Sequence, residues 1–164
     1  ALRYFNVYGQ RQSLSNPYTG VAAIFISRVK AGKNPIIFED GKQSRDFVSV
    51  HDIVSANIAV MKSKKADYKI LNIGSGQPIS IMKIAQSIIS LMGSKLQPVI
   101  TNEFRKGDIR HCFSSIEKAK KTFNWKPRID FKSGMQELIK WSETAESQDF
   151  FDEAKKILKS KGIV

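Results

Sequence analysis

Apolar residues in this chain change their period from segment to segment. LRYFNVYG (2–9) is dense in aromatic and β-branched residues and ends at Gly9, which reads as a buried strand running into the loop QRQSLSNPYTG. In GVAAIFISRVKAGK, Val21, Ile24, Phe25 and Val29 lie near helical spacing with Gly32 as a stop, so a helix is expected. PIIF (35–38) reads as a short strand closed by the EDGK turn, and DFVSV (46–50) as the next strand. HDIVSANIAVMKSKK places Ile53, Ala56, Val60 and Met61 on one stripe, with Asp52 in the first turn where the helix dipole favours an acid. ILNI (70–73) predicts a strand, GSGQP a loop, and Ser80 a cap for a helix carrying Ile81, Ile84, Ala85, Ile88 and Met92 up to Gly93. QPVI (97–100) reads as an edge strand, and FRKGDIRHCF as a charged loop entering another. Ser114 and Glu117 have capping-box spacing for a helix to Phe123, and a last amphipathic helix runs from Phe131 to Trp141 before a polar tail. Strands alternating with helices predict an α/β architecture, without internal repeats.

Composition narrows the setting. The 164 residues, 41% of them hydrophobic, can bury one good core, as a single domain or as part of a larger one. No run approaches the ~20 apolar residues of a membrane span, and the N-terminus lacks a signal layout, so a soluble, unprocessed chain with no membrane partner is expected. The lone Cys112 cannot pair within the chain and has no ligand-spaced companion; no metal site and a reducing cytoplasm follow as expectations. A net charge of +12 suits nucleic acid, anionic membrane or anionic small molecules equally. The lysines of KSKKADYK (62–69), EKAKK (117–121) and AKKILKSKG (154–162) recur beside apolar helical positions, the pattern of solvated helix faces, and no aromatic residues interleave with them as a stacking platform would require. Nucleic acid is therefore not the expected partner.

Two arginines stand apart from these lysine faces. Arg45 lies where a strand begins and Arg105 in a loop. A guanidinium pairs bidentately with phosphate or carboxylate, so an arginine fixed at a strand end suits a diphosphate; an ion pair with Asp46 or Asp108 is the other reading, and spacing leaves both open. Asn6 has the same two readings, loop backbone or ligand. GSG (74–76) lacks the full glycine fingerprint and a following lysine, and reads as a plain strand-to-helix turn. His51 and His111 sit at element boundaries with no carboxylate or serine at motif spacing, which favours structural or solvent roles.

The blocks LRYFNVYGQRQ, GVAAIFISRVKAGK, PIIFEDGKQSRDFVSVHDIVSAN, LNIGSGQPISI and GDIRHCFSSIEKAKKTFNWKP, in this order and spacing, resemble the C-terminal half of NAD-dependent nucleotide-sugar epimerases and dehydratases, which are extended short-chain dehydrogenases, and UDP-glucose 4-epimerases above all. The resemblance implies the substrate-binding subdomain and last Rossmann strands over residues 1–144, without the N-terminal dinucleotide-binding part, followed by a polar, basic helical tail at 145–164. It implies that Arg45 and Arg105 straddle a UDP-sugar diphosphate, that Asp108 accepts from ribose hydroxyls and that Asn6 touches phosphate or sugar. Val21, Ala22, Ile36 and Phe38 would line the uracil pocket, with Tyr4 and Phe5 near the nicotinamide of NAD. The chain departs from the family pattern at Gln10, Glu39, Lys106, Ser115 and Asn124; Glu39, at a usual glycine, places an acid near the proposed base pocket.

Family chemistry is transient hydride transfer at the sugar, and needs a G-x-x-G-x-x-G turn and a Tyr-x-x-x-Lys pair. This sequence has neither, so no catalytic residue is expected within it and the chain reads as the inactive substrate-binding portion of a longer 4-epimerase. A 4,6-dehydratase portion, a UDP-glucuronate decarboxylase portion and a non-catalytic nucleotide-binding module stay open. The resemblance implies a homodimer for a full-length protein through helices outside this chain. In isolation an exposed strand edge is expected to make the chain prone to aggregate, swap domains or depend on a partner.

Overall fold

The aromatic opening run forms two strands rather than one. The computed structural model of the protein describes residues 1–18 and 20–164, and within it β1 (Leu2–Tyr4) and β2 (Asn6–Tyr8) are separated by Phe5, whose N–H donates to Ile73 O at 3.2 Å. The break is a change of partner. After α1 (Val21–Lys30), β3 (Ile36–Ile37), β4 (Ser44–Ser49) and α2 (Val50–Met61) comes β5 (Leu71–Ile73); β1 pairs in parallel with β5, whereas β2 pairs in parallel with β4. β1 was expected to be buried, but Tyr4 is 46% exposed, because β5 is its one strand partner among the described residues.

The rest of the chain completes the two sides of β4. β6 (Pro78–Ser80) leads into α3 (Ile81–Leu91), and β7 (Val99–Ile100) pairs with β3. β8 (His111–Cys112), α4 (Glu117–Phe123), α5 (Phe131–Thr144) and α6 (Phe151–Ser160) follow. The C-terminal half of β4 pairs with β2, and its N-terminal half lies between antiparallel β6 and parallel β8. Side chains alternate across a strand. Phe47 therefore joins a core with Tyr8, Phe25, Ile84, Ile88 and Leu138, while Val48 joins a second core with Ile53, Leu71, Ile73, Ile116 and Trp125.

Local chemistry explains most element ends. Ser80 Oγ accepts from Lys83 N at 3.2 Å and Asp130 Oδ1 from Ser133 N at 3.0 Å, capping α3 and α5. Asn124 closes α4 in the left-handed conformation, φ 53°. Two expectations fail. Pro78, expected at the end of the GSGQP loop, begins β6; and Ser114 with Glu117 makes no capping box, since Ile116 is the N-cap of α4 without a side-chain cap and Ser114 is bound to Asp46. The polar tail contributes α6, which is amphipathic and packs Phe151 and Ala154 into the molecule. No helix among the described residues is long and apolar enough to cross a membrane.

Candidate functional site

Arg45 and Asp46 are consecutive on β4 and point to opposite sides. The Asp46 carboxylate is fully buried and accepts from Ser75 N (2.7 Å), Ser75 Oγ (2.5 Å), Gly76 N (3.0 Å), Ser114 N (3.0 Å) and Ser114 Oγ (2.5 Å). Those Ser75 and Gly76 amides belong to the GSG turn. Amides that could cradle a phosphate are thus taken by an internal carboxylate, in keeping with a plain turn. A Cβ on Gly74 would meet Asp46 Oδ2 and Ser114 Oγ, so glycine is needed for this close approach.

With Asp46 locked inward, Arg45 must face outward. Its backbone is fixed by the register Arg45↔Ile79 on one side and Arg45↔Cys112 on the other. Its Nη1 donates to Ser44 O (2.9 Å) and Arg110 O (3.2 Å), and its Nη2 reaches Asp108 Oδ1 at 3.1 Å. Of the two acids the sequence offered as partners, Asp108 holds this arginine and Asp46 does not.

Arg45 and Asp108 open onto a cleft of about 180 Å³. Arg105 and Asn6 share it, and Val21, Ile36 and Phe38 form an apolar wall. Cations and hydrogen-bonding groups thus meet an apolar slot, the mixture expected of a small-molecule site. Ala22 is buried in the core and does not line the cleft. Tyr4 and Phe5 also lie outside the lining; the Tyr4 hydroxyl donates to Asn57 Oδ1 at 2.8 Å. Arg105 makes no ion pair among the described residues, which leaves its charge available to an anion.

Several lining residues were not legible as such in the sequence. Gln43 donates through Nε2 to Phe38 O at 2.8 Å, and its buried Oε1 has no partner among the described residues. Phe151, Ala154, Lys155 and Leu158 of α6 form one side of the cleft. Their i, i+3, i+4, i+7 spacing marks them as one face of a helix, a signal present in the sequence that could have flagged the tail as a wall.

Glu39 departs from its expected position. It sits at φ 52°, in the left-handed region, but its carboxylate turns away from the cleft to Arg110 at 2.6 Å. Arg110 also grips Asp40 at 2.8 Å; this hydrogen bond, with a further one from the Lys42 amide, holds the Asp40 carboxyl well below the usual carboxylate range. His51 pairs with Glu137 at 2.7 Å and His111 meets Ser44 Oγ at 2.9 Å; neither lines the cleft. Burial, with smaller contributions from Asp130, Asp52 and Glu137, pushes the Tyr8 phenol well above its ordinary value, the opposite of what a tyrosine base requires. Among the described residues no group of three His, Cys, Asp or Glu could hold a metal ion.

The sequence model of the NAD dependent epimerase/dehydratase family matches residues 1–74. The dTDP-L-rhamnose 4-epimerase of Burkholderia thailandensis is 36% identical over 140 residues, covering 85% of this chain and 38% of that protein. The crystal structure of the Thermotoga maritima UDP-glucose 4-epimerase with UDP-glucose superposes with a TM-score of 0.78 at 35% identity, covering 87% of this chain and 45% of that one. The chain belongs to the NAD dependent epimerase/dehydratase family. Its α/β architecture is the C-terminal half of the family's extended short-chain dehydrogenase fold. It spans less than half the length of the relatives it matches. Another family member, the UDP-glucuronic acid 4-epimerase of Bacillus cereus solved with UDP-glucuronic acid and NAD, is 26% identical with a TM-score of 0.77, covering 87% of this chain and 44% of that one. A decarboxylase, the UDP-N-acetyl-alpha-D-glucosaminuronate decarboxylase of Bacillus cytotoxicus, matches at 34% identity over 89% of this chain and 46% of that protein. The family's reactions on nucleotide-sugars are therefore not all epimerisations.

Proposed function

We propose that this chain is the substrate-holding portion of an NAD-dependent nucleotide-sugar 4-epimerase, with Arg45 and Arg105 gripping the diphosphate of a UDP-sugar. The observation that carries the reading is the shared cleft, lined by two arginines, a carboxylate, an asparagine and apolar side chains together. A diphosphate needs bidentate cations, a ribose needs a hydrogen-bond acceptor and a flat base needs an apolar slot. Arg45 and Arg105 supply the first, Asp108 the second, and Val21, Ile36 and Phe38 the third. Asn6, in the same lining, would bond phosphate or sugar.

In the bound state Asp108 would exchange part of its pairing with Arg45 for ribose hydroxyls, while phosphate oxygens take up the guanidinium. NAD, when bound, supplies hydride acceptance and return at the sugar C4. The GSG turn after β5 is closed by Asp46, and the sequence carries no Tyr-x-x-x-Lys pair, so the groups that act on the cofactor would come from outside these residues. What this chain contributes is orientation of the nucleotide, with Tyr4 and Phe5 at the nicotinamide side and the reactive groups supplied from outside these residues. A 4,6-dehydratase or decarboxylase would use the same nucleotide grip; the decarboxylase among the matching family members favours keeping that second reading.

Calorimetric titration of the chain with UDP tests the assignment. Arg45→Ala and Arg105→Ala are each expected to cost about 1.5–3 kcal/mol of binding free energy, the range for hydrogen bonds to a charged group. Equal affinity in both variants and the parent chain would remove the site.

A further inference from the structure

The loop between β7 and β8 carries Arg105 and Asp108, and it is fastened on one side of Arg105 by α6 and on the other by Ile163, in the segment that follows α6. Glu103 forms ion pairs with Lys155 Nζ at 2.5 Å and Lys159 Nζ at 2.6 Å, while the Lys106 amide donates to Ile163 O at 2.8 Å. The helix is itself anchored at its other end. Arg28, 5% exposed, reaches Asp149 at 3.3 Å and Asp152 at 3.1 Å, and its guanidinium lies 4.7 Å from the Phe151 ring centre. Lys33 joins the same two acids at 3.1 and 3.0 Å.

Between these anchors α6 faces the cleft. The Phe151 ring centre lies 6.1 Å from that of Phe38, and Lys155 Nζ lies 5.7 Å from the same Phe38 ring. One helix therefore touches the apolar wall and, through Glu103, the loop that presents the second arginine. We propose that α6 is a latched wall of the nucleotide cleft, with Glu103 as the positioning residue that holds the loop bearing Arg105 against a bound nucleoside diphosphate. The proposal rests on the reading of the cleft as a nucleotide-sugar site, and extends it to a segment that the diphosphate grip alone does not require.

The chemistry of the latch is suited to positioning. Glu103 is partly buried and bound by two lysines from successive turns of one helix, so neither lysine need be held alone. The carboxylate of Glu103 is lowered to about 2 by the hydrogen bond from Lys155 first and that from Lys159 second, which keeps it charged at neutral pH. On the other side, Glu39 N donates to Glu103 O at 2.9 Å and Asn102 N to Glu39 O at 3.2 Å, so the loop is clamped between the turn after β3 and α6. Arg105 has no comparable tether of its own among the described ion pairs.

A double-mutant cycle with UDP as ligand tests this. Glu103→Gln is expected to speed UDP dissociation about tenfold in the otherwise unaltered chain, and to add nothing in the Arg105→Ala background, because the latch acts through Arg105. Hydrogen exchange gives the second readout: UDP is expected to slow exchange of residues 151–160 and 103–108 together in the parent chain, and to slow the helix less in Glu103→Gln. An unchanged dissociation rate in Glu103→Gln, or full additivity with Arg105→Ala, would overturn the latch. Arg45→Ala separates the two readings. If it still weakens UDP while Glu103→Gln does nothing, the cleft stands and the latch fails; if Arg45→Ala does nothing, both fail.

Discussion

Arg45 and Arg105 share one cleft but are held by opposite means. Arg45 stands on a strand with a neighbour on each side, and its orientation is dictated by the buried carboxylate next to it. Arg105 stands on a loop held by backbone hydrogen bonds and by partly solvated ion pairs, those of Glu103 with Lys155 and Lys159 and of Arg110 with Glu39 and Asp40. The strand register and the buried Asp46 give the first arginine a fixed direction. Partly solvated ion pairs are worth little each and are screened by salt, so the hold on the second arginine is the more sensitive to salt. One cation, on the floor, is thus set by a strand and its buried neighbour, the other, on the rim, by a latch that salt can weaken.

The sharpest way to break this contrast is to remove the buried carboxylate. Asp46→Ala would strand the amides of Ser75, Gly76 and Ser114 without their acceptor, and a buried donor left unpaired costs roughly 1–3 kcal/mol. A loss above about 3 kcal/mol in urea unfolding is expected, with failure to fold as its extreme. A drop below about 1 kcal/mol would show that the floor is not organised by Asp46.

The two regions also differed in how well the sequence disclosed them. The floor was legible because its determinants are local: the short apolar run of the β4 segment, the Ser80 cap of α3 and the stripe of α3 can each be read within a dozen residues. The ordered blocks around Asn6, Arg45 and Asp108 carried the family and its candidate site in the same way. What stayed hidden depended on distant partners. Nothing near Ser114 signals that it will bond Asp46 instead of capping α4, and nothing near Phe5 signals that the strand changes neighbours there. Glu39 read as an acid near the base, yet its carboxylate faces Arg110, seventy-one residues away in sequence. The tail read as polar and basic, although its four lysines are matched by four acids; the four residues that enter the cleft are one face of a short helix whose mean composition conceals it. Met61, Val54 and Ile58 on α2 and Tyr4 on β1 are large apolar side chains exposed to solvent.

A smaller effect is expected at Glu39, where backbone and side chain pull in different directions. Its φ of 52° costs a residue with a Cβ roughly 1 kcal/mol, while its exposed pair with Arg110 returns at most about that much. Glu39→Ala keeps the strain and loses the pair, so it is expected to destabilise by about 1 kcal/mol; Glu39→Gly loses the pair and relieves the strain, so it should be close to neutral. Thermal melting of the two variants side by side checks the order. Equal losses in both would mean that the left-handed backbone at this position carries no cost.

The smallest effect concerns the rim alone. The Glu103 carboxylate, with an ordinary value of 4.5, is held at about 2 in the folded chain by hydrogen bonds from Lys155 and then Lys159. A depressed carboxylate stabilises the fold above its unfolded value and loses that contribution as pH falls through the folded one. Comparison of the parent chain with Glu103→Gln should therefore show a constant gap above pH 4.5 that closes progressively toward pH 2. The gap itself should be about 1 kcal/mol or less, since both lysines are partly solvated, and it should shrink in high salt. Asp46→Ala should show no such salt dependence, because its lost partners are neutral donors shielded from the solvent. If the Glu103 gap were instead insensitive to both pH and salt, the rim would be held by packing of α6, and the distinction between a charged latch and a buried floor would collapse.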